Sequence, residues 1–235
     1  MTGRSEALFP PELVSRVIAR RGRLHPTDAL DPRRTSLVVI DMQRAFTETG
    51  APSETASAKA VIPRINRLAR ALRAGGGHVA FSQATFSDAG DGGWPAFFTR
   101  MVGPEAARSI LAALRPGHAL HALDPALEIA PRDFVFPKCR YSAFAPGASP
   151  LPGWLAERGV RTVIVVGTIT NVCCESTARD AMQHGYDTIM VADANAARDP
   201  AAHQATLETF IQFFGDVLDT EELLALLPAA APAAA

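Results

Sequence analysis

Apolar residues in this chain fall into short, β-branched runs that alternate with stretches of helical periodicity. The runs are Ser36-Leu-Val-Val-Ile-Asp41, His78-Val-Ala-Phe-Ser82, Asp133-Phe-Val-Phe-Pro-Lys138, Thr162-Val-Ile-Val-Val166 and Thr188-Ile-Met-Val-Ala192. Apolar residues at helical spacing predict helices near 57–74, 104–114, 150–158 and 200–213, with another following the fourth run. A strand that is apolar at every position is buried on both faces. The pattern therefore predicts an α/β fold: a three-layer, doubly wound and mainly parallel sheet of about six strands, covered by helices on both sides. Asp216-Val-Leu-Asp219 is expected to add a last short strand before a helix at 220–227. Gly75-Gly-Gly77, Gly159 and Gly185 each fall just past a predicted helix, where a left-handed cap is expected.

The two ends differ from this middle. Residues 1–34 are rich in Arg and Pro and hold one helical pattern at 11–20, which reads as an arm packed on the body or on another subunit. Residues 35–227 read as a single α/β domain, and the Ala/Pro tail at 228–235 has too little to bury and is expected to be disordered. Within 235 residues, 48% are hydrophobic and the formal net charge is -1 with both signs interspersed. That is enough material for a large core, and it offers no basic stripe for nucleic acid or an anionic membrane surface. The expected partner is a small molecule. No apolar run approaches the roughly 20 residues that span a bilayer. Three cysteines make no disulfide framework, CxxC pair or zinc-finger spacing, so a cytoplasmic protein is expected.

In a doubly wound sheet, ligands sit beyond the carboxyl ends of the strands. Three strand ends here carry functional groups: Asp41, Lys138, and the pair Cys173 and Cys174 after the fourth run. A cysteine in the first turn of a helix feels the positive end of the helix dipole, which favours thiolate and predicts a sulfur nucleophilic near neutral pH. An Asp beside a thiol can take its proton, and a nearby ammonium steadies both anions. Each residue also has an ordinary explanation: Asp as a cap, Lys as a solvated loop residue, Cys as a small core filler.

Several separated segments resemble the isochorismatase-like cysteine hydrolases. They are Leu37-Val-Val-Ile-Asp-Met-Gln-Arg-Ala-Phe46, Lys138-Cys-Arg-Tyr-Ser-Ala-Phe144, Gly167-Thr-Ile-Thr-Asn-Val-Cys173 continuing through Glu175 to Ala181, and the strand from Asp187 to Ala194. The resemblance implies an Asp41-Lys138-Cys173 triad. It assigns the nucleophile to Cys173 through the Gly167, Thr170, Cys173 spacing, leaving Cys174 and Cys139 to packing. It further implies a cis peptide between Thr168 and Ile169, and an oxyanion hole from the backbone N–H groups of Ile169 and Cys173.

Within this resemblance, relatives that cleave a vinyl ether generally lack the cysteine, so its presence implies C–N hydrolysis, with no cofactor expected. The segment after the second strand lacks the Asp-x-His motif of nicotinamidase-like relatives, and the pair His118-x-x-His121 reads as structural, so no metal is expected. The Lys138-x-Arg-Tyr-Ser-x-Phe144 segment looks most like the ureidoacrylate and biuret amidohydrolase branch, which implies a small ureido or carbamoyl substrate. A simple carboxamide of the maleamate type, or a non-catalytic thiol sensor on the same fold, are the alternatives. Phe46, Gln83, Trp94, Arg140, Tyr141 and Asn171 lie on loops after strand ends and are the candidate substrate contacts, with Arg140 suited to a carboxylate. Trp94 and Phe97-Phe98 are expected either to close over the site or to bury against a partner subunit. The resemblance also implies a homo-oligomer, a dimer or tetramer.

Overall fold

The computed structural model describes residues 5–87, 90 and 92–228. Asp88, Ala89, Asp91 and the Ala/Pro tail beyond 228 lie outside the described residues.

In chain order the elements are α1 (Pro11–Arg21), β1 (Thr35–Ile40), α2 (Arg44–Thr47), α3 (Ala58–Ala74), β2 (His78–Ala84), α4 (Pro95–Arg100), α5 (Pro104–Ala113), β3 (Phe134–Lys138), α6 (Leu151–Glu157), β4 (Thr162–Thr168), α7 (Glu175–Gln183), β5 (Asp187–Ala196), α8 (Pro200–Phe213), β6 (Asp216–Leu218) and α9 (Thr220–Leu226). The six strands form one sheet in the order β3-β2-β1-β4-β5-β6. Every pairing is parallel.

Alternation along the strands divides the core into two layers. Leu37 and Val39 of β1, with Ile164 and Val166 of β4, pack against α3 and α9. Val38 and Ile40, with Val163 and Val165, face α1, α6, α7 and α8. The arm joins this second layer, since Phe9, Leu13, Val14 and Val17 are buried in it. A smaller apolar cluster, built on Ala45, Phe46, Ala84 and Leu114, caps the carboxyl end of the sheet. Among the described residues no helix is long and apolar enough to cross a membrane.

The order of strands reverses between β1 and β4, and this is where a doubly wound sheet opens a crevice. Gly167 makes the local approach possible. Its φ is 115°, and a Cβ there would lie 2.3 Å from the Ile40 carbonyl oxygen. The predicted helix caps are left-handed at Gly159 and Gly185, whereas in the triple glycine it is Gly76 and not Gly75 that adopts positive φ. The fifth strand runs four residues further than its apolar run suggested. Pairing with β4 slips between Val165 and Gly167, and Asn195 Nδ2 fills the irregularity by donating to the carbonyl oxygens of Val165 and Val191 at 3.0 and 2.8 Å.

Candidate active site

Asp41 follows the last residue of β1 and has a φ of 49°. This left-handed conformation is uncommon outside glycine, and Asp is among the residues that tolerate it. Ser82 of β2 fixes the residue from two sides. Its hydroxyl donates to Asp41 Oδ1 at 2.6 Å and accepts from the Asp41 backbone N–H at 3.0 Å. The second carboxylate oxygen, Oδ2, faces Lys138 Nζ at 2.8 Å, and both side chains are almost wholly buried. The ammonium also donates to the Arg140 carbonyl oxygen at 2.7 Å. A buried charge without a partner is costly, so each ion depends on the other.

Cys173 completes the group, within hydrogen-bonding reach of both Asp41 and Lys138. The segment Thr170–Cys174 forms a π turn that leads into α7 at Glu175, so the helix does not open on Cys173 as the sequence suggested. In this turn the N–H groups of Val172 and Cys174 both donate to the Ile169 carbonyl oxygen, at 3.0 and 3.2 Å. The Thr168–Ile169 peptide bond is cis. The turn is braced from behind: Thr170 Oγ1 lies 2.9 Å from His203 Nδ1, and Thr206 of α8 donates to Glu175 at 3.0 Å.

The electrostatics correct the expectation of a preformed thiolate. Burial pushes the Cys173 thiol up to about 12; the Lys138 ammonium pulls it down and the Asp41 carboxylate raises it further. Desolvation thus outweighs the pull of the Lys138 ammonium. Burial alone would lower Lys138, yet Asp41 and the neighbouring thiols leave it above the ordinary lysine range. At rest the thiol is therefore neutral beside the Lys138 ammonium. Cys174 is fully buried in the helical layer, and burial drives its thiol well above the ordinary range. Cys139 is half-buried, with its sulfur 3.8 Å from the Gly147 carbonyl oxygen.

These groups form the floor of a cavity of about 410 Å³. Phe46, Arg140, Tyr141 and Ile169 line it. Three expected contacts do not. Gln83 sits on the opposite face of β2 from Ser82 and Ala84, and its amide donates to the His121 carbonyl oxygen at 2.9 Å. Asn171 is exposed outside the cavity. Trp94 stands one layer out, stacked on Phe97 with centroids 4.9 Å apart and edge-on to Tyr141 at 4.8 Å. Of the two placements expected for the aromatic segment after Gly93, the cavity side is occupied by Phe97 of α4.

Arg140 is already engaged. Its guanidinium donates to the carbonyl oxygens of Cys139 and Gly93, at 2.7 and 3.1 Å, and lies 5.3 Å from the centre of the Trp94 ring. The residue missed by the sequence reading is Arg198, which lines the cavity while its Nε donates to the Glu54 carbonyl oxygen at 2.9 Å. Ser82 was missed as well. Tyr141 faces the same charges: burial and the Cys173 sulfur raise its hydroxyl, while Lys138 and Arg198 oppose them.

His118 accepts from the Leu120 N–H at 3.1 Å, and His121 Nε2 lies 2.8 Å from Thr85 Oγ1, so both are tied into local structure. Among the described residues no group of His, Cys, Asp and Glu side chains is arranged to hold a metal ion.

The Isochorismatase domain model matches residues 35–222. The ureidoacrylate amidohydrolase RutB of Methylobacterium radiotolerans is 37% identical over 225 residues, covering 88% of this chain and 85% of the relative. Its counterpart from Klebsiella pneumoniae is 35% identical, covering 86% and 91%. Among solved structures, a cysteine hydrolase from Pseudomonas syringae superposes with a TM-score of 0.74 at 31% identity, covering 84% of this chain and 94% of that one.

Proposed function

The chain belongs to the isochorismatase family, and from that premise we propose that it is a metal-independent cysteine amidohydrolase cleaving a C–N bond in a small ureido or carbamoyl compound. The observation that carries this reading is the buried Asp41–Lys138 pair, 2.8 Å apart, with the Cys173 thiol against both on the floor of an open cavity. The similarity to ureidoacrylate amidohydrolases supports the substrate class.

In the reaction, Asp41 takes the Cys173 proton as sulfur attacks the carbonyl carbon and a C–S bond forms. The negative charge that gathers on the carbonyl oxygen is met by the N–H groups of Ile169 and Cys173; one such donor is worth roughly 10²–10³ in rate. Asp41 returns its proton to the nitrogen, the C–N bond breaks, and ammonia or an amine leaves an acyl-thioester. Water then attacks the thioester, losing a proton to Asp41, and the acid departs as the proton returns to sulfur. Lys138, 2.8 Å from Asp41 Oδ2, holds the carboxylate in place while it takes and returns each proton. A substrate carboxylate finds the Arg198 guanidinium at the mouth of the cavity, since Arg140 is spent on backbone carbonyls. The reading extends to a cytoplasmic homo-oligomer.

Ammonia release should vanish in Cys173→Ser, Asp41→Ala and Lys138→Ala, and intact mass should show an acyl adduct on Cys173 with a slow substrate. Wild-type turnover in any of the three would remove the triad from the mechanism. The same assay on carboxamides separates a maleamate-like substrate from a ureido one.

A further inference from the structure

The walls of the cavity bear on what the substrate carries besides its carbonyl. Charge is confined to the floor and the mouth. Most of the remaining wall is apolar, and its large side chains include Phe46 of α2, Phe86 after β2, Phe97 of α4, and Val102, Ile110 and Leu114 before, on and just after α5. The elements carrying Phe97 and Ile110 open with Pro95 and Pro104, whose fixed φ suits a first helical position. Phe86 packs edge-on against Phe98 with centroids 4.9 Å apart, which holds this wall in place. A volume of about 410 Å³ lies within the roughly 300–1,000 Å³ that encloses ligands of drug size. A ureido acid of a few carbons would touch the floor and leave most of the apolar wall facing water.

We propose that the preferred substrate carries an aromatic or branched aliphatic group next to its hydrolysable carbonyl, seated against Phe86, Phe97, Ile110 and Leu114. This rests on the amidohydrolase reading above. Binding energy from that group, remote from the reacting atoms, is what would hold the carbonyl over Cys173 and raise turnover. Each methylene buried against such a wall contributes about 0.8 kcal/mol, roughly fourfold in kcat/KM.

The test is ammonia release by the full chain from two matched series. One extends the group on the nitrogen side: ureidoacetate, N-carbamoyl-leucine and N-carbamoyl-phenylalanine. The other extends it on the acyl side: acetamide, isovaleramide and phenylacetamide. The expected result is a rise in kcat/KM on the order of 100-fold along one series, which also tells whether the wall takes a group joined to the carbonyl through nitrogen or through carbon. Ile110→Ser and Phe97→Ala should each reduce the preference for the bulky member by about tenfold. Turnover of ureidoacetate with a flat or falling response in both series, or a preference unmoved by both variants, overturns the proposal and leaves the amidohydrolase reading intact. No ammonia from any compound, with no adduct on Cys173, overturns that reading and this proposal with it.

Discussion

The protonation state of Cys173 decides how this site works, and it can be measured directly. Burial places the thiol at about 12 instead of the 9.0 of a free cysteine. That difference makes thiolate about a thousandfold rarer at any pH below the free value, equivalent to about 4 kcal/mol. Near pH 7.5 an exposed cysteine is about 3% thiolate, and Cys173 should hold far less. Ultraviolet absorbance of thiolate, taken as the difference between wild type and Cys173→Ser, cancels Cys139 and Cys174 and isolates this sulfur. No thiolate should appear between pH 7 and 9, and iodoacetamide should alkylate Cys173 more slowly than it alkylates a free thiol. Catalysis should be indifferent to this, because Asp41 removes the proton during attack; kcat/KM should not track thiol ionisation. The raised value also has a stability consequence. Stability is full below about 9 and is lost as pH rises through about 12, and Cys173→Ser should flatten that alkaline loss. One full thiolate equivalent at neutral pH would refute the reasoning, and would mean that Lys138 dominates over burial.

Three further outcomes follow from the geometry. Lys138→Met strands the Asp41 carboxylate in the core and should cost about 3–5 kcal/mol in urea unfolding; adding Asp41→Asn should recover part of that, and purely additive losses would deny the coupling. Ser82→Ala removes the hydroxyl that orients Asp41 Oδ1, so kcat should fall roughly tenfold with KM little changed, at about 1–2 kcal/mol; a KM effect alone would make Ser82 a substrate contact instead. Gly167→Ala forces a Cβ onto the Ile40 carbonyl, and thermal melting should show a loss of several kcal/mol, more than Gly159→Ala, where the same atom meets open space.

The sheet was legible because its strands are apolar at every position and its helices are not, so both periodicities could be read without ambiguity. Asp41 and Lys138 were legible for the same reason, as polar residues at the ends of such runs. Side-chain parity was harder. A loop-based rule selected Gln83, whereas the pleat turns its neighbours Ser82 and Ala84 toward the site. Arg198 looked remote because the fifth run seemed to end at Ala192; the irregular pairing that Asn195 fills carries β5 on to Ala196, two residues short of it. The thiol's ionisation was misjudged because a helix start is visible in sequence and the depth of burial is not. The apolar wall is assembled from α2, α4, α5 and a loop, segments whose mutual placement no local pattern encodes.

The arm changes what counts as the working unit. Its buried residues Leu13, Val14 and Val17 belong to the same packed layer as Cys173 and Cys174, and α1 lies on α8. That helix in turn abuts the nucleophile turn, where Thr206 meets Glu175 and His203 meets Thr170. The family model's match begins at residue 35, so the nucleophile leans, through one intermediary helix, on a portion of chain that the family model leaves out. A chain trimmed to residues 35–222 would keep every reacting atom and lose the outermost tier of the scaffold that steadies them.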